Sequence, residues 1–149
     1  MAVHVTFSRD GADRLRQPVD EAMVVPPEGF PADWSELVRE IAALYPEVTI
    51  TKRQWGAFHG TELDLQLRRR GVRSIVIGGI RTAIGVESTA RTGYALGYEV
   101  VFASDAITDV DASLHDRAFA GIFPRLGRSA STSDILAALP PEPSGDGRA

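Results

Sequence analysis

Residues 78–91 read GGIRTAIGVESTAR. They follow the β-branched run RSIVI (73–77) and lead into a proline-free segment rich in helix formers. The order predicted is a strand, a tight glycine turn and the start of a helix. Junctions of this kind often hold a nucleophile in the helix's first turn. Here that position is Gly85, and the chain has no cysteine. The glycines allow close backbone approach, and N–H groups at the helix start can hold an oxyanion or a carboxylate. Without a side chain, Gly85 offers only its N–H and open space.

Working outward, RSIVIGG (73–79) is a strand whose continuous apolar run implies burial on both faces, the mark of a parallel sheet. The helix after the turn runs from about Thr82 to Leu96, and Gly97 closes it. YEVVFAS (98–104) is another buried strand, and DAITDV (105–110) is a loop. Residues 111–123 form a helix with Leu114, Ala118 and Ile122 on one face, broken by Pro124. Ser131 or Thr132 caps a last helix, SDILAAL, and PPEPSGDGRA (140–149) is expected to be a disordered tail. Upstream of the junction, Thr61 caps the helix TELDLQLRRR, in which Leu63 and Leu67 face inward and Asp64 pairs with Arg68. Gly71 stops it. VTIT (48–51) is a short buried strand, followed by the loop KRQWGAFHG (52–60). Before that, Asp33 caps a helix with Glu36 completing a capping box, Leu37, Ile41 and Leu44 share a face, and Pro46 ends it. Residues 8–32, rich in Asp, Gly and Pro, form a long loop. AVHVTF (2–7) is a strand from the outset, with Val3, Val5 and Phe7 alternating on one face. Strands alternating with helices define an α/β domain over residues 1–139, its parallel sheet covered on both sides.

Composition removes several function classes. Sixteen basic residues against twenty acidic leave a net charge of −4, without the basic surplus that nucleic acid or an anionic membrane surface would need. The one basic cluster, Arg68 to Arg70 with Arg73, ends a helix, where cations complement its dipole. Disulfides, thiolate chemistry and Cys-based metal sites are excluded. His4, His59 and His115 lie far apart without metal-ligand spacing, so no metal site is expected. No apolar run is long enough to span a bilayer, and the N-terminus lacks a signal-peptide pattern. A cytoplasmic protein is the expectation.

Ligands of open α/β sheets bind beyond the carboxyl ends of the strands. Two strand ends stand out, Lys52 with its loop and the GGIRTAIG turn. Lys52 could hold an anion or shift a carboxylate's pKa, or it could be a surface lysine lying along apolar neighbours. Trp55 and Phe58 could wall a pocket or pack in the core. Arg81 could attract a carboxylate or point to solvent.

The stretch ITKRQWGAFHGTELDLQLRRRGVRSIVIGGIRTAIGVESTARTGYALGYEVVFASDA resembles the isochorismatase-like hydrolase superfamily. Three separated motifs carry the likeness: the lysine loop with AFxGTxL, the GIxTxxxVxxTAR turn-helix and the GYxVxxxxDA strand. The resemblance implies a three-layer α/β/α fold with a mainly parallel, Rossmann-like sheet, a homo-oligomer, a small-molecule substrate and no cofactor. It places the family's lysine on Lys52, its non-proline cis peptide between Ile80 and Arg81, and its oxyanion-hole N–H groups on Arg81 and Gly85. Trp55, Phe58, Arg81 and Thr82 are the candidates for substrate contact. The family's cysteine also falls on Gly85, so amidase chemistry is not expected. Isochorismatase domains with glycine there cleave a vinyl ether by protonation from an aspartate, which needs no nucleophilic side chain.

The chain departs from the pattern at one further point. The family's aspartate ends a first strand that precedes the one AVHVTF resembles, and Asp10 and Asp13 follow the wrong strand to replace it. That strand normally lies in mid-sheet beside RSIVIGG, so its absence leaves two unpaired inner edges. Each unmet group in a buried sheet costs roughly 1–3 kcal/mol, against a domain stability of about 5–15 kcal/mol. Three solutions follow: a natural start upstream of Met1, a sheet closed differently, or another chain in the gap. Three functions follow as well: a cysteine-free hydrolase acting on a small anionic vinyl ether or related substrate, an inactive ligand-binding or oligomer-forming scaffold, and a truncated gene product.

Overall fold

A computed structural model describes residues 1–140. Most of the tail expected at 140–149 therefore lies outside the described residues. The elements are β1 (Ala2–Val5), α1 (Arg39–Ala42), β2 (Thr49–Lys52), α2 (Leu63–Arg69), β3 (Ser74–Ile80), α3 (Glu87–Ala95), β4 (Glu99–Thr108), α4 (Ala112–Arg117), α5 (Phe123–Leu126), β5 (Gly127–Ala130) and α6 (Thr132–Ala138). All strand pairs are parallel and helices flank the sheets, so the α/β class holds.

The strands form two sheets, β1–β2 and β3–β4–β5. β1 and β2 run in register from Ala2 opposite Thr49 to Val5 opposite Lys52. Neither β1 nor β3 pairs along its other edge among the described residues. The two unpaired inner edges expected from the sequence are present.

Two apolar clusters hold the layers together. One joins β4 to the segments before and after it, through Val86 and Ala90 upstream, Val100, Phe102 and Ile107 of β4 itself, and Ala118 and Phe123 downstream. Phe102 and Phe123, both fully buried, stack at 3.9 Å. Burial of each such side chain stabilises by roughly 1.5–3 kcal/mol. The other cluster packs Ile50 of β2 with Ala57, Phe58, Leu63, Leu67 and Tyr98, so Leu63 and Leu67 face inward as their spacing predicts. Two of the four arginines in the basic run pair with acids: Arg68 with Asp64 at 3.2 Å and Arg70 with Glu47 at 2.9 Å.

Five expectations need correction. The helix from Asp33 to Pro46 shrinks to the single turn α1, whose N-cap Val38 makes no side-chain cap. Asp33 only closes a turn, its carbonyl accepting the Glu36 N–H at 2.9 Å. Leu44 stays 73% exposed and Ile41 41% exposed, so the apolar face finds no partner. Helices this short depend on such packing for their stability.

β3 is not buried on both faces, because Val76 is 52% exposed while Ile75 and Ile77 turn toward the core. The strand lies at a sheet edge, and only one of its faces is covered. β4, in contrast, runs on through the residues expected as a loop. From Ile77 to Gly79 β3 advances two residues while β4 advances five, from Phe102 to Ile107, and pairing then resumes. Such a bulge hides the strand's period from a sequence reading.

Pro124 does not break its helix. It sits in the first turn of α5, reached from α4 through a wider π-helical turn at Ala118–Ile122, where a missing N–H costs little. β5 is an additional strand. A Cβ on Gly127 would lie 2.1 Å from the Val100 carbonyl oxygen, so only glycine lets the two strands approach.

Candidate active site

The C-terminal ends of β2 and β3 bring the lysine loop and the glycine turn together. Lys52, the last residue of β2, is half-buried, and its ammonium donates to the Trp55 carbonyl. Burial holds its pKa below the ordinary lysine range. The Ile80–Arg81 peptide is cis, as the resemblance implies. From there the chain makes a π-helical turn, Thr82–Val86, that runs directly into α3. The Arg81 carbonyl anchors it, accepting from the Ile84 N–H at 3.2 Å and the Val86 N–H at 3.1 Å.

Gly85 faces Lys52. A Cβ built on Gly85 would stand 3.3 Å from the Lys52 Nζ, 3.3 Å from the Ile80 carbonyl oxygen and 3.7 Å from the Trp55 carbonyl oxygen. A side chain at this position would thus enter a cleft between a cation and two carbonyls. With glycine, the ammonium and the two carbonyls close in on this point without a Cβ pressing against them.

The other candidates separate. Thr82 is fully buried, and its hydroxyl lies 2.8 Å from His115 Nδ1, so it braces the turn from behind. Phe58 is buried in the core against Tyr98, with ring centroids 5.7 Å apart. Trp55 is 62% exposed beside the cleft. Arg81 is exposed. Asp10 and Asp13 organise the turn at Ser8 instead: Ser8 Oγ donates to Asp10 at 2.7 Å, and the Ser8 N–H donates to Asp13 at 2.6 Å. These bonds hold both carboxyls below the usual carboxylate range. No described ion pair or hydrogen bond joins a carboxylate to Lys52.

Three supporting residues escaped the sequence reading. Thr89 Oγ1 donates to the Gly85 carbonyl at 2.7 Å and accepts the Ala57 N–H at 3.0 Å, tying the lysine loop to the turn. Its position four residues after Gly85 was a usable signal. Asp109 accepts the Ala83 N–H at 2.9 Å, and His115 meets Thr82; both arrive from the segment after β4, far away in sequence. A cavity of about 450 Å³ between Arg9, Asp10 and the loop at Val25–Gly29 shares no residue with this cleft.

A parallel α/β domain with a half-buried lysine and a glycine-bearing turn at its strand ends has the arrangement in which such sheets bind small molecules. The family model "Isochorismatase domain" matches residues 1–134, and the chain belongs to that family. It is 49% identical over 134 residues to the uncharacterised isochorismatase family protein YwoC of Bacillus subtilis, covering 90% of this chain and 70% of that one. It is 45% identical over 137 residues to the uncharacterised isochorismatase family protein YecD of Escherichia coli O157:H7, covering 92% and 72%. The solved structure of an isochorismatase family protein from Burkholderia thailandensis superposes with a TM-score of 0.82 at 43% identity, over 92% of this chain and 71% of that one. The chain is therefore an isochorismatase-family, hydrolase-like protein, and no described helix is long and apolar enough to cross a membrane.

Proposed function

We propose that the Lys52–Gly85 cleft is a hydrolase site that works without a nucleophilic side chain, on a small anionic vinyl ether or a related substrate. One observation carries this reading: the residue packed against the Lys52 ammonium at the strand-turn-helix junction is a glycine, in a chain without cysteine. Lys52 orients the substrate's anionic group and offsets developing negative charge. The Arg81 and Gly85 N–H groups hold a substrate oxygen and Trp55 contributes apolar surface near the loop, while buried Thr82 and Phe58 support the turn and the loop from behind.

Vinyl ether hydrolysis suits such a cleft. An acid protonates the terminal vinyl carbon, water adds to the resulting oxocarbenium carbon, and the hemiketal collapses to a carbonyl compound and an alcohol. The acid has to approach Lys52 from outside its described contacts. This requirement supports the second reading, an inactive scaffold that binds a small ligand and assembles as a homo-oligomer.

The test is turnover of isochorismate and of a panel of small vinyl ethers, esters and amides, followed by NMR, on the longest form the source organism makes. Expected are the carbonyl compound and alcohol released from a vinyl ether, and their loss in Lys52→Ala. Absence of turnover, with ligand binding and assembly unchanged in Lys52→Ala, overturns the enzyme in favour of the scaffold. Sedimentation equilibrium at a multiple of the monomer mass supports the oligomer in either case.

A further inference from the structure

Lys52 is the chain's only lysine; all its other strongly basic side chains are arginine. Arginine serves the surface ion pairs, as at Arg91 with Glu87 and Arg68 with Asp64. Even the next residue, Arg53, is an exposed arginine that pairs with Asp13 at 3.6 Å. Only at the end of β2 does the chain carry a primary amine. The two cations differ in chemistry. A guanidinium stays protonated in proteins, whereas a desolvated amine gives up its proton more readily and becomes a nucleophile.

The surroundings of Lys52 suit an amine. Its hydrogen bond goes to the Trp55 carbonyl, a neutral acceptor. The residue is half-buried, which leaves part of it accessible from the strand ends. Burial also holds its pKa below the ordinary lysine range, which enlarges the neutral fraction at any given pH. Residue 85 matters here as well. A Cβ on Gly85 would stand 3.3 Å from the Lys52 Nζ and crowd a tetrahedral centre built on that nitrogen.

We propose that Lys52 captures a small, unhindered carbonyl compound, an aldehyde or a 2-oxo acid, as an imine. The neutral Nζ adds to the carbonyl carbon, forming a C–N bond while the carbonyl π pair moves onto oxygen. A proton passes from nitrogen to that oxygen and gives a carbinolamine. The hydroxyl then leaves as water with the second N–H proton, and the C=N bond forms. No oxidant or reductant is consumed, and hydrolysis reverses the step. Once protonated, the imine keeps one N–H for the Trp55 carbonyl, the acceptor the ammonium already uses. An amine that orients an anion when protonated adds to a carbonyl when neutral. Capture requires no turnover of a vinyl ether, so it stands or falls separately from the proposed hydrolysis.

Reductive trapping tests the assignment. The full chain is incubated at neutral pH with sodium cyanoborohydride and either pyruvate or acetaldehyde, and the adduct is located by peptide mass spectrometry. The N-acetylated peptide TITKRQWG (49–56) is the reference for an amine without the fold. Expected is an adduct on Lys52 that forms at least about tenfold faster than on the peptide with one of the two carbonyls, an advantage lost in concentrated urea. Faster trapping with pyruvate assigns 2-oxo acids, and faster trapping with acetaldehyde assigns aldehydes. In Lys52→Arg, which keeps the charge, only the Met1 α-amino group remains to react. A smaller advantage with both carbonyls overturns the proposal. So does an advantage that persists in urea, or an adduct confined to the Met1 α-amino group.

Discussion

Lys52 carries a cost that the fold accepts. Burial penalises its charged form, so the unfolded chain binds this proton more tightly than the folded one. Stability therefore rises as pH climbs from the depressed folded pKa toward the ordinary value of 10.5. Lys52→Met is expected to raise the thermal midpoint at neutral pH, with the gain shrinking as pH approaches 10.5, while any turnover falls by about 10²-fold or more. Calorimetry across pH, beside the activity assay, checks both halves; a midpoint difference that does not vary with pH would refute the desolvation argument. Thr89 is the other decisive residue, because one hydroxyl serves both the turn and the lysine loop. Thr89→Val should lower stability by roughly 1–3 kcal/mol in urea unfolding, since it leaves two part-buried groups unmet. A change under about half that amount would show that solvent replaces these bonds.

Legibility changes from element to element, for physical reasons. α2 and α3 were readable because their apolar spacing matches the face they bury, as at Leu63 and Leu67. The segment from Asp33 to Pro46 carries the same kind of pattern but stays open, since nothing packs on Leu44. β5, with the sequence GRSA, has no hydrophobic period and exists because Gly127 passes close to Val100. Gly127→Ala would drive a Cβ into the Val100 carbonyl, and overpacking of this kind costs about 1–3 kcal/mol or more. Loss of the β4–β5 amide protection is the expected signature, read by hydrogen exchange; an unperturbed β5 would mean that the backbone yields.

α6 is tied down by Asp105, which accepts the Thr132 N–H at 2.8 Å and its hydroxyl at 2.7 Å. These bonds, the hydroxyl's first, lower the Asp105 pKa, so their contribution is present above its ordinary 3.8 and fades as pH falls through the folded value. The Thr132 amide resonance should shift in that acid range and lose the step in Asp105→Asn. A step that persists in the variant would assign the titration to another group.

For the molecule as a whole, the gap between β1 and β3 matters most. Parallel order, the strand–turn–helix junction and the place of Lys52 at a strand end were all present in local patterns. So was the gap, through the family resemblance. The alternation of β-branched residues and the glycine turn act over a few residues, and a chain carries such signals in any context. Other features required the assembled fold. Only tertiary structure could show that Gly85 packs against the Lys52 ammonium, that Asp109 and His115 brace a turn more than twenty residues upstream, and that β4 continues past its bulge. These depend on contacts between segments far apart in sequence, whose geometry no local period records.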